Sequence, residues 1–470
     1  MAGPSADATL EAAARRPITR RLPLHGWLPL PGALVLTALL LLAPAAAMGA
    51  AAPDGRPWTA ASSDPRTLGW MQGSPPPPDR VIGFGDPQAF SFPRLRWSVC
   101  HTDQLMPTRA VSRGLGPVRP LPRQERADLD AVRFQPWGTS QPMTWGQAFD
   151  ANFTDGLLVL HRGAVVYERY AGCLGPTGRH AAMSLTKSLV GLLGEVLVAE
   201  GVLNANAQVC ATIPELAGSA FGEATVRQVL DMTTALDYSE DYADLNAGVW
   251  KHAAAGNALP KPSDYSGPRT YFEFLQTVKP KGVHGQAFGY KTVNTDVLGW
   301  LISRATGQPL TDVMAERLWS RLGAEAGAFF SVDSIGTPFA GGGFNASLRD
   351  MARVGQLMLE EGRVGTEQVI PAAVIRGIRA GGDRAAFARA GYKQLQGWSY
   401  RGMWWVSHDA NGTVMARGVH GQSLWIDPAA RVVIARFASH PVAGNAANDA
   451  TTLPAYRAIS RHLVSHSVRR

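Results

Sequence analysis

The sequence predicts an α+β fold, an antiparallel sheet flanked by helices with a mostly helical subdomain, and three observations carry that expectation. Residues 156–160 and 164–170 are β-rich and joined through His161-Arg162-Gly163, the pattern of a hairpin. Leu185, Leu189, Leu192, Leu193, Val196 and Leu197 recur at helical spacing, and helical patterning continues through the middle of the chain. Strand patterning then returns near the C terminus and closes on a helix, an order that lets both ends of the chain build one sheet.

Taken in order, residues 1–52 place Arg15, Arg16, Arg20 and Arg21 ahead of a charge-free run that is apolar at 33–43 and rich in small residues after Pro44. This is the layout of an export signal, or of an uncleaved membrane anchor through residues 27–52, although Pro29, Pro31 and Pro44 interrupt a continuous helix. Residues 53–83, rich in Pro, Gly, Ser and Asp and ending in Pro75 to Pro78, read as an extended linker. Residues 84–140 hold Phe90, Phe92, Leu95, Trp97, Leu105 and Val111, enough for an arm or cap against a main body at 141–470. Within that body a helical insertion spans about 216–324, with helices at 225–232 and 296–306. Strands follow at 403–407, 413–417, 423–427 and 432–437, then a helix at 453–464.

Composition excludes some functions. With 46% hydrophobic and 17% charged residues among 470, the chain is a folded protein with a sizeable core. Its net charge of +8 comes from arginines scattered singly, which speaks against the basic stripe of a nucleic-acid binder. Cys100, Cys173 and Cys210 form neither a metal spacing nor an even disulfide set; either one pair bridges and one thiol stays free, or all three are buried thiols.

The chemistry concentrates at Ser184 and Lys187, in Met183-Ser184-Leu185-Thr186-Lys187. Positions i and i+3 share a helix face, and a lysine kept from water can act as the base that serine needs to become a nucleophile. The helix start adds unpaired N–H groups beside Ser184. Tyr290 precedes a second apolar helix; a neighbouring lysine charge lowers a phenol pKa, which suits Tyr290 to relay the serine proton, with Lys291 as a further candidate. Gly418 to Asp427 joins small residues to a strand, where a backbone N–H would share an oxyanion with that of Ser184. The acidic run at 237–244 lacks the glycine and terminal glutamate of a calcium loop, and no metal site is expected.

These segments, in this order, resemble the serine β-lactamase and penicillin-binding-protein superfamily, in its class C-like branch with esterases and 6-aminohexanoate-dimer hydrolases. Supporting stretches are residues 225–234 and 342–353. The resemblance implies a β-lactamase/transpeptidase-like fold, with Ser184 acylated, Lys187 as its base or relay and Tyr290 as the tyrosine of the second motif. It places His420, Gly421 and Gln422 on the substrate-binding strand and Tyr242 in contact with substrate. Two departures stand out: Thr292 occupies the asparagine position of Tyr-x-Asn, with an asparagine only at Asn294, and His420-Gly421 replaces Lys-Thr. Both remove groups that would hold a β-lactam. The resemblance therefore implies a cofactor-free serine hydrolase of small amides or esters, which the N-terminal segment would direct to a periplasmic or extracellular location. The alternatives are a D-alanyl-peptide carboxypeptidase or β-lactamase and, in another class, a non-catalytic binding module of the same fold.

Overall fold

The structure, a computed structural model, describes residue 52 and residues 55–242 and 244–467. The expected signal or anchor lies, apart from Ala52, outside them. Among the described residues no helix is long and apolar enough to cross a membrane.

The N-terminal hairpin forms as its sequence dictates. Strands Thr154–His161 and Ala164–Tyr170 are joined by Arg162 and Gly163, both at positive φ (52° and 82°). That two-residue turn matches the right-handed twist of the strands it connects. Strand Val432–Ala438 pairs antiparallel with Thr154–His161, followed outward by Gln422–Asp427, Val414–Gly418, Trp404–Val406 and Ser399–Arg401. The result is one seven-stranded antiparallel sheet built from both ends of the chain.

Alternation along Gln422–Asp427 decides what covers each face. Leu424 meets helix Leu348–Leu359 at Gly355, where a β-carbon would lie 2.4 Å from Val433. On the other face Ser423 hydrogen-bonds the Tyr456 hydroxyl at 2.6 Å, and Tyr456 also packs on Trp425, which holds the C-terminal helix Ala446–Ser467 there. That helix starts well before the expected residue 453, because Pro454 sits inside it rather than at its start. The insertion is mainly helical as expected, with helices Val226–Leu230, Gly248–Gly256, Tyr271–Thr277 and Val293–Thr306.

Helix Leu185–Ala199 runs between the sheet and helix Val293–Thr306. Gly191 lets it approach the turn at Gly402, whose carbonyl oxygen would lie 2.2 Å from any β-carbon placed there. One helical turn earlier, Ser188 Oγ donates to the Met403 carbonyl at 2.7 Å. The nucleophile helix is thereby fixed against the sheet edge.

Two expectations are corrected. Residues 53–83 are not a free linker over their described part: Ile82 is buried with Trp70 and Met71 against Leu95, Trp97 and Val99, and Ser63 accepts a hydrogen bond from Arg96 at 2.9 Å. A second sheet, not foreseen, pairs Thr108–Val111, Ala328–Ser331, Phe344–Ala346 and His180–Ala181 in that order. It draws the arm to the segment leading into Ser184. Two further ties hold it there, a Cys100–Cys173 disulfide and the buried Arg96–Asp155 ion pair at 3.1 Å, while Cys210 remains a free thiol.

Candidate active site

Ser184 caps the start of its helix directly after Met183, whose φ of 48° is unusual for a side-chain-bearing residue. That turn delivers the hydroxyl to the junction of sheet and helical subdomain. Lys187 Nζ lies 2.8 Å from Ser184 Oγ and donates to the Gly341 carbonyl at 2.6 Å. The lysine is buried. Burial lowers its pKa to about 8, against the opposing pull of the Glu240 and Asp296 carboxylates.

The Tyr290 phenol interacts with the Ser184 hydroxyl, and its ring centroid stands 5.2 Å from Lys187 Nζ. The expected lowering of its pKa is corrected. Protein crowds the phenol closely, so burial, with Glu240 adding to it, pushes its pKa well above the ordinary tyrosine value. The phenol therefore stays protonated and is a proton donor, which leaves Lys187 as the base. Lys291 takes no part, since its amine donates to the Leu236 carbonyl at 2.5 Å.

Two cavities meet at Ser184. One, of about 150 Å³, is a mainly apolar chamber that reaches from Lys187 and Val419 back to Phe339 and Tyr271. The other, of about 590 Å³, is a wider mouth bordered by Tyr290, Glu240, Lys393 and the Arg417–Asp449 pair. Tyr242 borders both.

The strand motif behaves differently from what the resemblance implies. Gln422, His420 and Gly421 border neither cavity; the residues that do are Gly418 and Val419. His420 Nδ1 is 2.7 Å from the His440 carbonyl, and burial holds its pKa near 4, so the ring is neutral at pH 7. Gly421, at φ 94°, sits where a β-carbon would fall 2.5 Å from the Arg436 guanidinium, which explains a glycine in place of threonine. The Gln422 amide donates to the Ala438 carbonyl at 2.6 Å and accepts from the Ala438 N–H at 2.9 Å, tying two strands together. These three residues shape the turn rather than touch a substrate. Gly418, by contrast, runs so close that a β-carbon there would lie 3.0 Å from the Ser184 nitrogen.

Thr292 borders the chamber, while Asn294 is buried away from it, its carbonyl accepting from Thr234 Oγ1 at 2.6 Å. Sequence reasoning missed Glu240, whose carboxylate accepts the Thr292 N–H and acts on both Lys187 and Tyr290. It also missed Asp296, which accepts the Gly341 N–H at 3.0 Å and lies 3.0 Å from His252 Nε2, steadying the residue whose carbonyl receives Lys187. Among the described residues no group of three or more His, Cys, Asp or Glu side chains converges as metal ligands would.

The sheet-and-helix fold, with a serine, a lysine and a tyrosine gathered at its junction, defines a serine hydrolase. The chain belongs to the beta-lactamase family, whose model matches residues 149–456. It is 36% identical over 363 residues to the 6-aminohexanoate-dimer hydrolase of Paenarthrobacter ureafaciens, covering 76% of this chain and 89% of that protein. A putative 6-aminohexanoate-dimer hydrolase structure from Bacillus anthracis superposes with a TM-score of 0.74 at 29% identity, over 83% of this chain and 99% of that one. The structure of EstCE1, a hydrolase with promiscuous acyltransferase activity, shares the fold at 18% identity and a TM-score of 0.53, over 67% and 96% of the two chains.

Proposed function

We propose that the protein hydrolyses small amides or esters, short linear amides included, through an acyl-enzyme on Ser184. The observation that carries this reading is the Ser184 hydroxyl lying 2.8 Å from the Lys187 amine, with the Tyr290 ring 5.2 Å from the same amine. Neutral Lys187 takes the Ser184 proton as Oγ bonds to the substrate carbonyl carbon. The N–H groups of Ser184 and Val419 hold the oxyanion, a role supported by the close approach of the Gly418 backbone to Ser184 and by the engagement of the His420 N–H with the Ala443 carbonyl. Tyr290 gives its proton to the departing amine or alcohol as the C–N or C–O bond breaks, and Lys187 returns a proton to the phenol. Water then attacks the acyl carbon, losing its proton to the same pair, and Ser184 is released. The Cys100–Cys173 disulfide supports export to an oxidising compartment, the route suggested by residues 1–52. The notion of membrane attachment rests on residues 27–52 alone.

A panel of p-nitrophenyl esters, linear amides and nitrocefin, run with native and Ser184→Ala protein, tests this reading. Esters and amides should be turned over by native protein, with the variant at least about 10³-fold slower. A fluorophosphonate should add its mass at Ser184. Nitrocefin should be a poor substrate, given the chamber-wall threonine at 292 and the buried Asn294. Equal ester rates in the two proteins would remove Ser184 from the chemistry.

A further inference from the structure

The chamber beside Ser184 is walled in part by the N-terminal arm, which lies outside the segment matched by the family model. Phe90, Thr102 and Met106 contribute this wall. Phe90 and Met106 also border a second, smaller cavity of about 40 Å³ behind them, and with Asn257 and Ala258, which line both, they form the partition between the two spaces. The partition is held in place: Cys100 is bridged to Cys173, and the Ala181 N–H donates to the Val99 carbonyl at 2.7 Å.

Charge distribution separates the chamber from the mouth. Among the described residues no carboxylate and no guanidinium borders the chamber, where the ionisable groups are Lys187, His252 and two tyrosines. His252 already faces Asp296 at 3.0 Å. An ammonium entering there would lose its water without finding a carboxylate to pair with, and a carboxylate would find only Lys187, which it would hold protonated and so remove as the base. Thr102, only 4% exposed, has a hydroxyl with no partner among the described residues, so the arm's share of the wall, otherwise Phe90 and Met106, offers one hydrogen bond. The mouth, with Glu240, Lys393, Arg417 and Asp449, suits a polar or charged group instead.

Proton delivery assigns the two halves of a substrate. Tyr290 borders the mouth and not the chamber, so the leaving group it protonates departs through the mouth and the acyl group occupies the chamber. We infer that the arm-walled chamber is an acyl subsite selecting short, uncharged, mainly apolar acyl groups, with Met106 as the residue that limits their length. Its volume of about 150 Å³ is that of a cavity able to hold a benzene-sized guest. This inference rests on Ser184 being the acylated group.

The test uses the full chain and p-nitrophenyl esters of butyrate, hexanoate, decanoate, 6-aminohexanoate and monoadipate, compared by kcat/KM. The hexanoate ester should exceed both charged esters by at least about 10²-fold. Met106→Ala, which joins the chamber to the cavity behind it, should raise decanoate relative to butyrate at least about tenfold, with Met106→Leu close to native. Ser184→Ala, run alongside, reports separately on the underlying reading: activity lost there but insensitive to acyl charge and to Met106 sinks the subsite and leaves the hydrolase standing. Rates for charged and neutral acyl groups within threefold of each other would overturn the proposal. So would a folded Met106→Ala protein, judged by its thermal midpoint, with an unchanged chain-length profile. A length dependence that follows the alcohol in a series of alkyl acetates, rather than the acid, would overturn the acyl assignment.

Discussion

Lys187 sets how activity should follow pH. Its amine acts as base only when unprotonated, and burial brings its pKa to about 8. Below that value kcat/KM should fall about tenfold per pH unit, and above it level off, with no alkaline decline near pH 10 because the Tyr290 phenol is pushed well above its ordinary value. A pH–rate profile from 6 to 10 checks this; a rate already flat at pH 6 would contradict it. The same burial has a thermodynamic sign. Between about 8 and the ordinary lysine value of 10.5 the unfolded lysine holds a proton that the native one has released, so this group makes the fold more stable as pH rises through that window. At this scale Ser184 and Lys187 were legible because their relation is local, one helical turn. Tyr290 stands out by its place ahead of an apolar helix and is strengthened by the resemblance, which alone supplies Tyr242. Glu240 was not legible: it sits in an acidic run whose Asp237 and Asp241 are exposed, and only the tertiary fold turns the glutamate toward Thr292.

Among the elements, the nucleophile helix depends on how close it lies to the turn at Gly402 and Met403. Gly191→Ala should force the helix outward, since its new methyl would meet the Gly402 carbonyl oxygen at 2.2 Å, and neither backbone yields easily. We expect a loss of about 1–3 kcal/mol in denaturant unfolding, together with a drop in kcat as Ser184 and Lys187 shift. A variant with native stability would show the contact to be compliant. The nucleophile helix and the longer C-terminal strands were readable from periodicity, and the hairpin at 154–170 was found nearly to the residue, whereas helix Leu348–Leu359 was not read as one. The second sheet was not. Its strands are two to four residues long, too short for a pattern, and its pairs, such as Thr108 with Ser331, are far apart in sequence.

For the whole molecule, the decisive join is between arm and body. Arg96 is 1% exposed and faces Asp155, itself fully buried, with His180 Nε2 3.3 Å from the second carboxylate oxygen. Removing the guanidinium strands a buried carboxylate, so Arg96→Ala should cost about 3–5 kcal/mol. Cleaving the disulfide, which joins residues 73 apart, should cost about 4 kcal/mol on a chain-entropy view. Unfolding curves with and without reductant, for native and Arg96→Ala protein, measure both; a change under 1 kcal/mol in each would mean the arm is only loosely attached. The segment before the arm misled because Pro, Gly and Ser suggest a linker, whereas a few side chains, Ser63, Trp70 and Ile82, suffice to pin it.

The groups that would break the bond come from residues 149–456, yet part of the wall facing the acyl chain comes from a strap outside them. Mutations in that strap can alter which molecules are consumed while the reacting trio stays untouched. Diet and chemistry are thus free to evolve separately here, and kinship across the shared segment is a better guide to the type of reaction than to the nutrient or toxin on which it is used.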